Sequence, residues 1–185
     1  MRIISGKYKG RVLTSFEAAN IRPTMDRVKE TLFNKWMRDV EGSIVLDLFS
    51  GTGSLGLEAL SRGSKNVTFV EKNLNSIQIL KKNIELLKID RSEYSIMQKD
   101  VVTFLQRYAG PAFDLILIDP PFTEKMGHAV MRSLAASACF NESSLIAIES
   151  IKKEQMDDQY DQLIRYDLKD YGDKILSFFR KKEQS

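Results

Sequence analysis

A single cysteine, Cys139, occurs among the 185 residues, which rules out an internal disulfide and any zinc site built from several cysteines. Histidine is as scarce. His128, the only one, falls in an expected helix and reads as a surface or packing residue rather than a general base. Cys139 reads as buried core, since nothing near it in sequence would lower its pKa. No apolar run approaches the roughly 18–20 residues of a membrane span. The opening "MRIISGKYKGR" has no apolar stretch of the kind a secretory signal needs. The expectation is a cytoplasmic, monomer-sized protein with no metal centre and no membrane partner. Proline is also sparse, with four in the chain, yet Pro120 and Pro121 stand side by side.

The composition that remains, 43% hydrophobic and 29% charged, is that of a soluble chain large enough to bury a substantial core. The formal charge of +3 conceals an asymmetry. Residues 1–40 hold nine Lys or Arg against four acids, leaving 19 basic and 21 acidic residues for the rest. The cationic excess therefore sits in the first forty residues, where it suits a polyanion.

"RIISGKYKGRVL" alternates apolar and basic residues around Gly6 and Gly10, as a short β-hairpin or extended arm does. A helix follows from Pro23, with Thr24 as the expected N-cap and Met25, Val28, Leu32, Phe33 and Trp36 along one stripe. Then the period changes. "SIVLDLF", "NVTFVE", "YSIMQKD", "FDLILID" and "SSLIAIE" read as buried strands. Helices alternate with them: "SLGLEALSR", stopped by Gly63, then one capped by Asn73 with Leu74, Ile77, Leu80 or Lys81, Ile84 and Leu87 on its face, then "VVTFLQRY" and one near 124–137. The last stretch reads as two strands turning at Tyr171-Gly172-Asp173, an antiparallel hairpin. The fold class is open α/β, a mostly parallel sheet covered on both faces.

In such sheets ligands lie beyond the carboxyl ends of the strands. Those ends give a short set: Asp47 to Gly53, Glu71, Asp100, and Asp119 to Phe122. Each of the first four parallel strands ends at or near a carboxylate. "DLFSGTGSLG" carries Gly51-x-Gly53-x-x-Gly56 between strand and helix, and Glu71 follows Gly51 by twenty residues. Glycines admit a ligand close to the backbone, and a carboxylate at the next strand end can accept both ribose hydroxyls. Asp47 would repel a pyrophosphate but welcome the ammonium end of S-adenosylmethionine, which has no phosphate. Asp100, with the amide of Val101, is placed for the adenine edge. The acids favour the sulfonium cofactor over a nicotinamide dinucleotide.

"LILIDPPF" ends the fourth strand on an acid, two prolines and a ring. An exocyclic amine on a base is a poor nucleophile because its lone pair is delocalised. If the Asp119 carboxylate and the Pro120 carbonyl both accept its N–H hydrogens, the lone pair localises toward a methyl donor. Pro120 and Pro121 fix those acceptors in advance, and Phe122 offers a face on which a base can stack.

With these residues in place the chain resembles the RsmD family of bacterial methyltransferases. The likeness covers nearly the whole length through "RIISGKYKGRVL", "RPTMDRVKETLFN", "DLFSGTGSLGLEALSRG", "FVEKN", "LILIDPPF" and "YGD". It implies a class I methyltransferase sheet of seven strands, the last antiparallel. It implies methylation of a guanine N2 amine in 16S ribosomal RNA, free or in the assembled small subunit, with S-adenosylmethionine as cofactor. By the same likeness Asp119, Pro120, Pro121 and Phe122 form the catalytic loop. Asp47, Phe49, Gly51, Gly53, Glu71 and Asp100 contact the cofactor, and Arg22 and Thr24 flank its methionine end. Residues 1–40 then form a basic hairpin-and-helix extension on a methyltransferase domain of residues 41–185. Arg2, Lys7, Lys9 and Arg11, with Tyr8 between them, would hold RNA phosphates.

Other readings remain open at this point. The same chemistry could serve adenine N6 or a glutamine amide, though Asp119 and the basic arm lean against the amide. A nicotinamide-dependent oxidoreductase would need a hydride-facing second site, which is absent from the motifs. A non-catalytic RNA-binding protein would have no reason to keep "DPPF".

Overall fold

The buried apolar runs become strands, and their order fixes where the acids gather. The computed structural model describes residues 1–16, 23–121 and 126–183, the first three of these helical residues (23–25) by backbone alone. Five strands lie parallel: β1 (Ile44–Leu48), β2 (Asn66–Glu71), β3 (Tyr94–Gln98), β4 (Leu115–Ile118) and β5 (Leu145–Ile151). Three more, β6 (Gln159–Tyr160), β7 (Leu163–Asp170) and β8 (Lys174–Lys181), extend the sheet antiparallel. The order across the sheet is β3-β2-β1-β4-β5-β8-β7-β6.

The expected open α/β fold with its C-terminal hairpin is present, with eight strands instead of seven. The additional one is β6, two residues paired with Leu163 and Ile164. Asp161, at φ 50°, turns the chain back in the left-handed region directly after it. Two residues are too few to carry an alternation that a sequence pattern could reveal.

Helices cover both faces. α1 (Pro23–Lys35), α2 (Ser54–Ser61) and α3 (Leu74–Leu87) share one apolar cluster with Val45, Leu115, Leu117, Ala147 and Leu176. α4 (Val101–Arg107) and α5 (Gly127–Ala135) share the other with Leu46, Leu48, Ile116, Ile118, Ile146 and Ile148. Two local expectations need correction. α1 begins at Pro23, so Thr24 lies inside its first turn and is not the N-cap; a proline's fixed φ suits the first helical position. Leu74 is exposed, and the buried face of α3 begins at Ser76 and Ile77. The Asn73 cap is as expected, its side chain accepting from Asn75 N and Ser76 N.

Residues 1–16 form a loose hairpin with one bridge, Arg2 to Val12, and its tip lies on the end of α2. Lys7 N donates to Ser61 O at 2.7 Å and Tyr8 N to Ser61 Oγ at 3.0 Å. Beneath it, the fully buried Glu58 accepts from Ile4 N and Ser5 N and pairs with Lys29 and Arg62.

Candidate active site

The turn after β1 is closed by the end of β2. Ser50 N donates to Val70 O at 3.1 Å, and Gly53 N donates to Ser50 O at 2.7 Å. Glu71 Oε2 accepts from Gly51 N at 2.9 Å while Oε1 accepts from Asn73 N at 2.8 Å. Phe49 holds φ 59°, a left-handed conformation that a large side chain adopts only under constraint. A Cβ on Gly51 would meet nothing nearer than Phe49 O at 3.8 Å, so the outer side of the turn is open. At Gly53 and Gly56 the reason for glycine differs, since a Cβ there would strike Leu80, Leu57, Phe69 or Val67. Those two are packing glycines.

Asp47 is buried, and its Oδ2 accepts from Gly56 N at 2.8 Å. Burial pushes its carboxyl up to about 8, against the opposing Gly56 N–H, with Asp119 and Glu71 adding repulsion. Asp100 caps α4, its side chain accepting from Thr103 N at 3.0 Å, and Val101 beside it is buried.

Asp119 follows β4 directly, and its N–H reaches Leu48 O of the neighbouring β1 at 3.5 Å. Its partly buried carboxyl is pushed up to about 7, first by burial and then by Glu149, while Lys174 pulls it down. Pro120 is buried and Pro121 partly so. The strand ends thus bring Asp47, Phe49, Gly51, Gly53, Glu71, Asp100, Asp119, Pro120 and Pro121 to one edge of the sheet. Arg22 and Phe122 lie outside the described residues, and of Thr24 only the backbone is described. An open glycine turn ringed by carboxylates fits a cationic ligand with hydroxyls to donate, and fits a pyrophosphate poorly.

A family model described as conserved hypothetical protein 95 matches residues 1–180. The ribosomal RNA small subunit methyltransferase D of Haemophilus influenzae is 39% identical over 153 residues, covering 82% of this chain and 79% of that protein. The chain belongs to the RsmD family. The protein of the same name from Escherichia coli is 34% identical over 150 residues, 81% of this chain and 74% of its own. A solved H. influenzae structure described as a candidate methylase superposes with a TM-score of 0.83 at 33% identity, covering 98% of both chains.

The basic arm of this RsmD-family chain is rooted near the glycine turn but reaches away from it. Asn83, fully buried on α3, accepts from Thr14 N and donates to the carbonyls of Thr14 and Thr52. The tip with Lys7, Tyr8 and Lys9 lies at the other end of α2, about 12 Å along the helix axis. Lys7 Nζ sits 5.0 Å from the Tyr8 ring centre, Lys9 and Arg11 are exposed, and Arg2 pairs with Asp26 at 3.0 Å. His128 bonds Tyr160 through Nδ1 at 2.6 Å, and the buried Cys139 thiol is pushed up to about 11 by burial, so both pack.

Sequence reasoning missed four polar residues: Lys29 and Glu58, which seat the arm, Asn83, which ties the arm to the glycine turn, and Glu149, which stands beside Asp119. Only Glu149 had a signal. "LIAIE" ends a fifth parallel strand on an acid, as the first four do. Among the described residues no group of three His, Cys, Asp or Glu could hold a metal, and no helix is long and apolar enough to cross a membrane.

Proposed function

We propose that the chain transfers the methyl group of S-adenosylmethionine to the exocyclic N2 amine of a specific guanine in the 16S ribosomal RNA of the small subunit. One observation carries this reading: Asp119 and Pro120 end β4 on the strand beside the glycine turn of β1, paired through Leu48 and Ile118. The family's ribosomal RNA methyltransferases support the substrate class.

S-adenosylmethionine supplies an electrophilic methyl carbon on a sulfonium. Glu71 is placed to accept from ribose hydroxyls, Asp100 and the Val101 amide to meet the adenine edge, and Asp47 to stand at the methionine end, where the cofactor's ammonium would draw its raised carboxyl into the charged form. The Asp119 carboxylate and the Pro120 carbonyl accept the two N–H hydrogens of the amine. Its nitrogen lone pair is then directed at the methyl carbon. The S–C bond would break as the N–C bond forms, with adenosylhomocysteine leaving and the ammonium proton passing to solvent water. The prolines make the acceptors rigid, so little reorganisation opposes the transition state. By the family likeness alone, Phe122 is assigned to stacking on the base, and Arg22 and Thr24 to the cofactor's methionine end.

Residues 1–40 act as the RNA-holding extension of a catalytic domain spanning 41–185. Lys7, Lys9 and Arg11, with Arg2 and Tyr8, contact phosphates away from the target base, which leaves choice of nucleotide to the shape of the RNA or assembled subunit. The enzyme works as a cytoplasmic monomer.

The test is incubation of the protein with labelled cofactor and unmethylated small ribosomal subunits, followed by mass spectrometry of the RNA. Label on one guanine N2 is expected. Label on an adenine N6 would move the reading to that amine, and no label in RNA would overturn it.

A further inference from the structure

The carboxyl edge holds more than the acids already placed, because β5 and β8 add a carboxylate and an ammonium next to Asp119. β4 pairs with β5 through Ile118 and Ile148, so Asp119 stands beside Glu149. β5 pairs with β8 through Glu149 and Leu176, and through Ile151 and Lys174. Leu117, Ala147 and Leu176 all pack in the α1–α3 cluster. Two residues along each strand return to the same face, so Asp119, Glu149 and Lys174 share it. Glu149 is buried, and Lys174 Nζ pairs with its Oε1.

Resting on the proposed guanine-N2 transfer, the geometry points to Glu149 and Lys174 as the residues that distinguish guanine from adenine. Along β4, β5 and β8 they extend Asp119 into a row of acceptor, acceptor and donor. The Watson–Crick edge of guanine presents the complementary row: the N2 amine, N1–H and O6. With the amine on Asp119, N1–H donates to the Glu149 carboxylate and O6 accepts from the Lys174 ammonium. An adenine whose amine took the Asp119 position would turn the lone pair of its N1 toward a carboxylate.

A purely structural role accounts for the pair less well. Two apolar side chains would join β5 to β8 without the desolvation cost of a buried ion pair. The pair also acts on Asp119, Glu149 raising and Lys174 lowering the pKa of its carboxyl.

The test uses small subunits reassembled around 16S ribosomal RNA with either guanine or 2,6-diaminopurine at the target position. The second base keeps the N2 amine but has an acceptor at N1 and a donor at position 6. The wild-type protein is expected to favour guanine in kcat/KM by ~10- to 100-fold. Glu149→Gln and Lys174→Met should each shrink that ratio by ~10-fold, with cooperative melts retained. A merely structural pair would slow both bases alike and leave the ratio untouched. An unchanged ratio in both variants, with wild-type transfer to guanine intact, overturns the specificity assignment and leaves the methyltransferase reading standing. Absence of wild-type transfer to either base would remove both.

Discussion

Glu71 holds Gly51: the carboxylate at the end of β2 accepts the backbone N–H of the turn that follows β1, at 2.9 Å. The other oxygen accepts from Asn73 N, the backbone of the residue that caps α3. One side chain therefore sets the shape of the glycine turn and the entry to the next helix. It also leaves lone pairs on both oxygens for a ligand's hydroxyls.

Glu71→Ala should weaken binding of adenosylhomocysteine by ~10- to 100-fold, as hydrogen bonds to a charged acceptor contribute about 1.5–3 kcal/mol each. Glu71→Gln keeps one acceptor oxygen and should lose less. Titration calorimetry with adenosylhomocysteine measures both. Equal affinity in wild type and Glu71→Ala would place the ribose elsewhere.

The raised pKa values predict opposite trends for activity and stability. Asp119, raised to about 7, grips an amine only as a carboxylate, because the protonated form turns one oxygen into a donor. Methyl transfer in kcat/KM should therefore rise with pH through about 7 and level off above it. Asp47 is raised from 3.8 to about 8, so the folded state holds this proton more tightly than the unfolded chain. Stability then falls as pH climbs from about 4 to about 8. Asp47→Asn keeps an acceptor for Gly56 N and should flatten that fall. Melting temperatures recorded from pH 5 to 8 check the sign; a wild-type melting point that rises over this window would refute it.

The parallel core was legible because its strands are short apolar runs bounded by glycine or polar turns, as "LILID" and "IVLDL" show. The acids were legible for the same reason: a carboxylate at the end of an apolar run stands out. β6 was not, since its two residues carry no period, and Asp161 turns in a conformation that sequence signals poorly. Glu58, Lys29 and Asn83 lie in helices where a polar residue ordinarily faces water. Their burial comes from the arm folding over α2 and α3, a contact between segments more than 50 residues apart in the case of Ile4 and Glu58. No local pattern encodes that.

Gly6 gives a direct test of the arm's seat. A Cβ there would lie 1.8 Å from Ser61 O, at φ +83°, whereas a Cβ on Gly10, at φ +81°, meets nothing within 4 Å. Backbone strain is therefore shared by Gly6→Ala and Gly10→Ala, and only the first also lifts the tip from α2. Gly10→Ala should cost about 1–2 kcal/mol and Gly6→Ala roughly 1–3 kcal/mol more. Urea unfolding of the two variants isolates the difference. Equal costs would mean that the tip is not seated on Ser61.

Glu58 is where the arm, α1 and α2 meet, and the arrangement sets what its loss should do. Its carboxylate is fully buried and accepts from Ile4 N at 2.8 Å and Ser5 N at 3.0 Å. Lys29, also buried, pairs with it at 3.5 Å and donates to Arg2 O at 2.7 Å. Burial lowers the Lys29 pKa, and Glu58 opposes that shift. Removing the acid alone leaves a buried ammonium and two arm N–H groups without their acceptor, so Glu58→Ala should destabilise by about 3–5 kcal/mol. Adding Lys29→Met removes the stranded charge. The double variant should therefore be less destabilised than the sum of the two single changes by about 1–3 kcal/mol. Strict additivity in urea unfolding would show that the pair does not act as a unit. If it does, RNA affinity of Glu58→Ala should weaken with its loosened arm while adenosylhomocysteine affinity holds, because the glycine turn is fastened separately by Glu71.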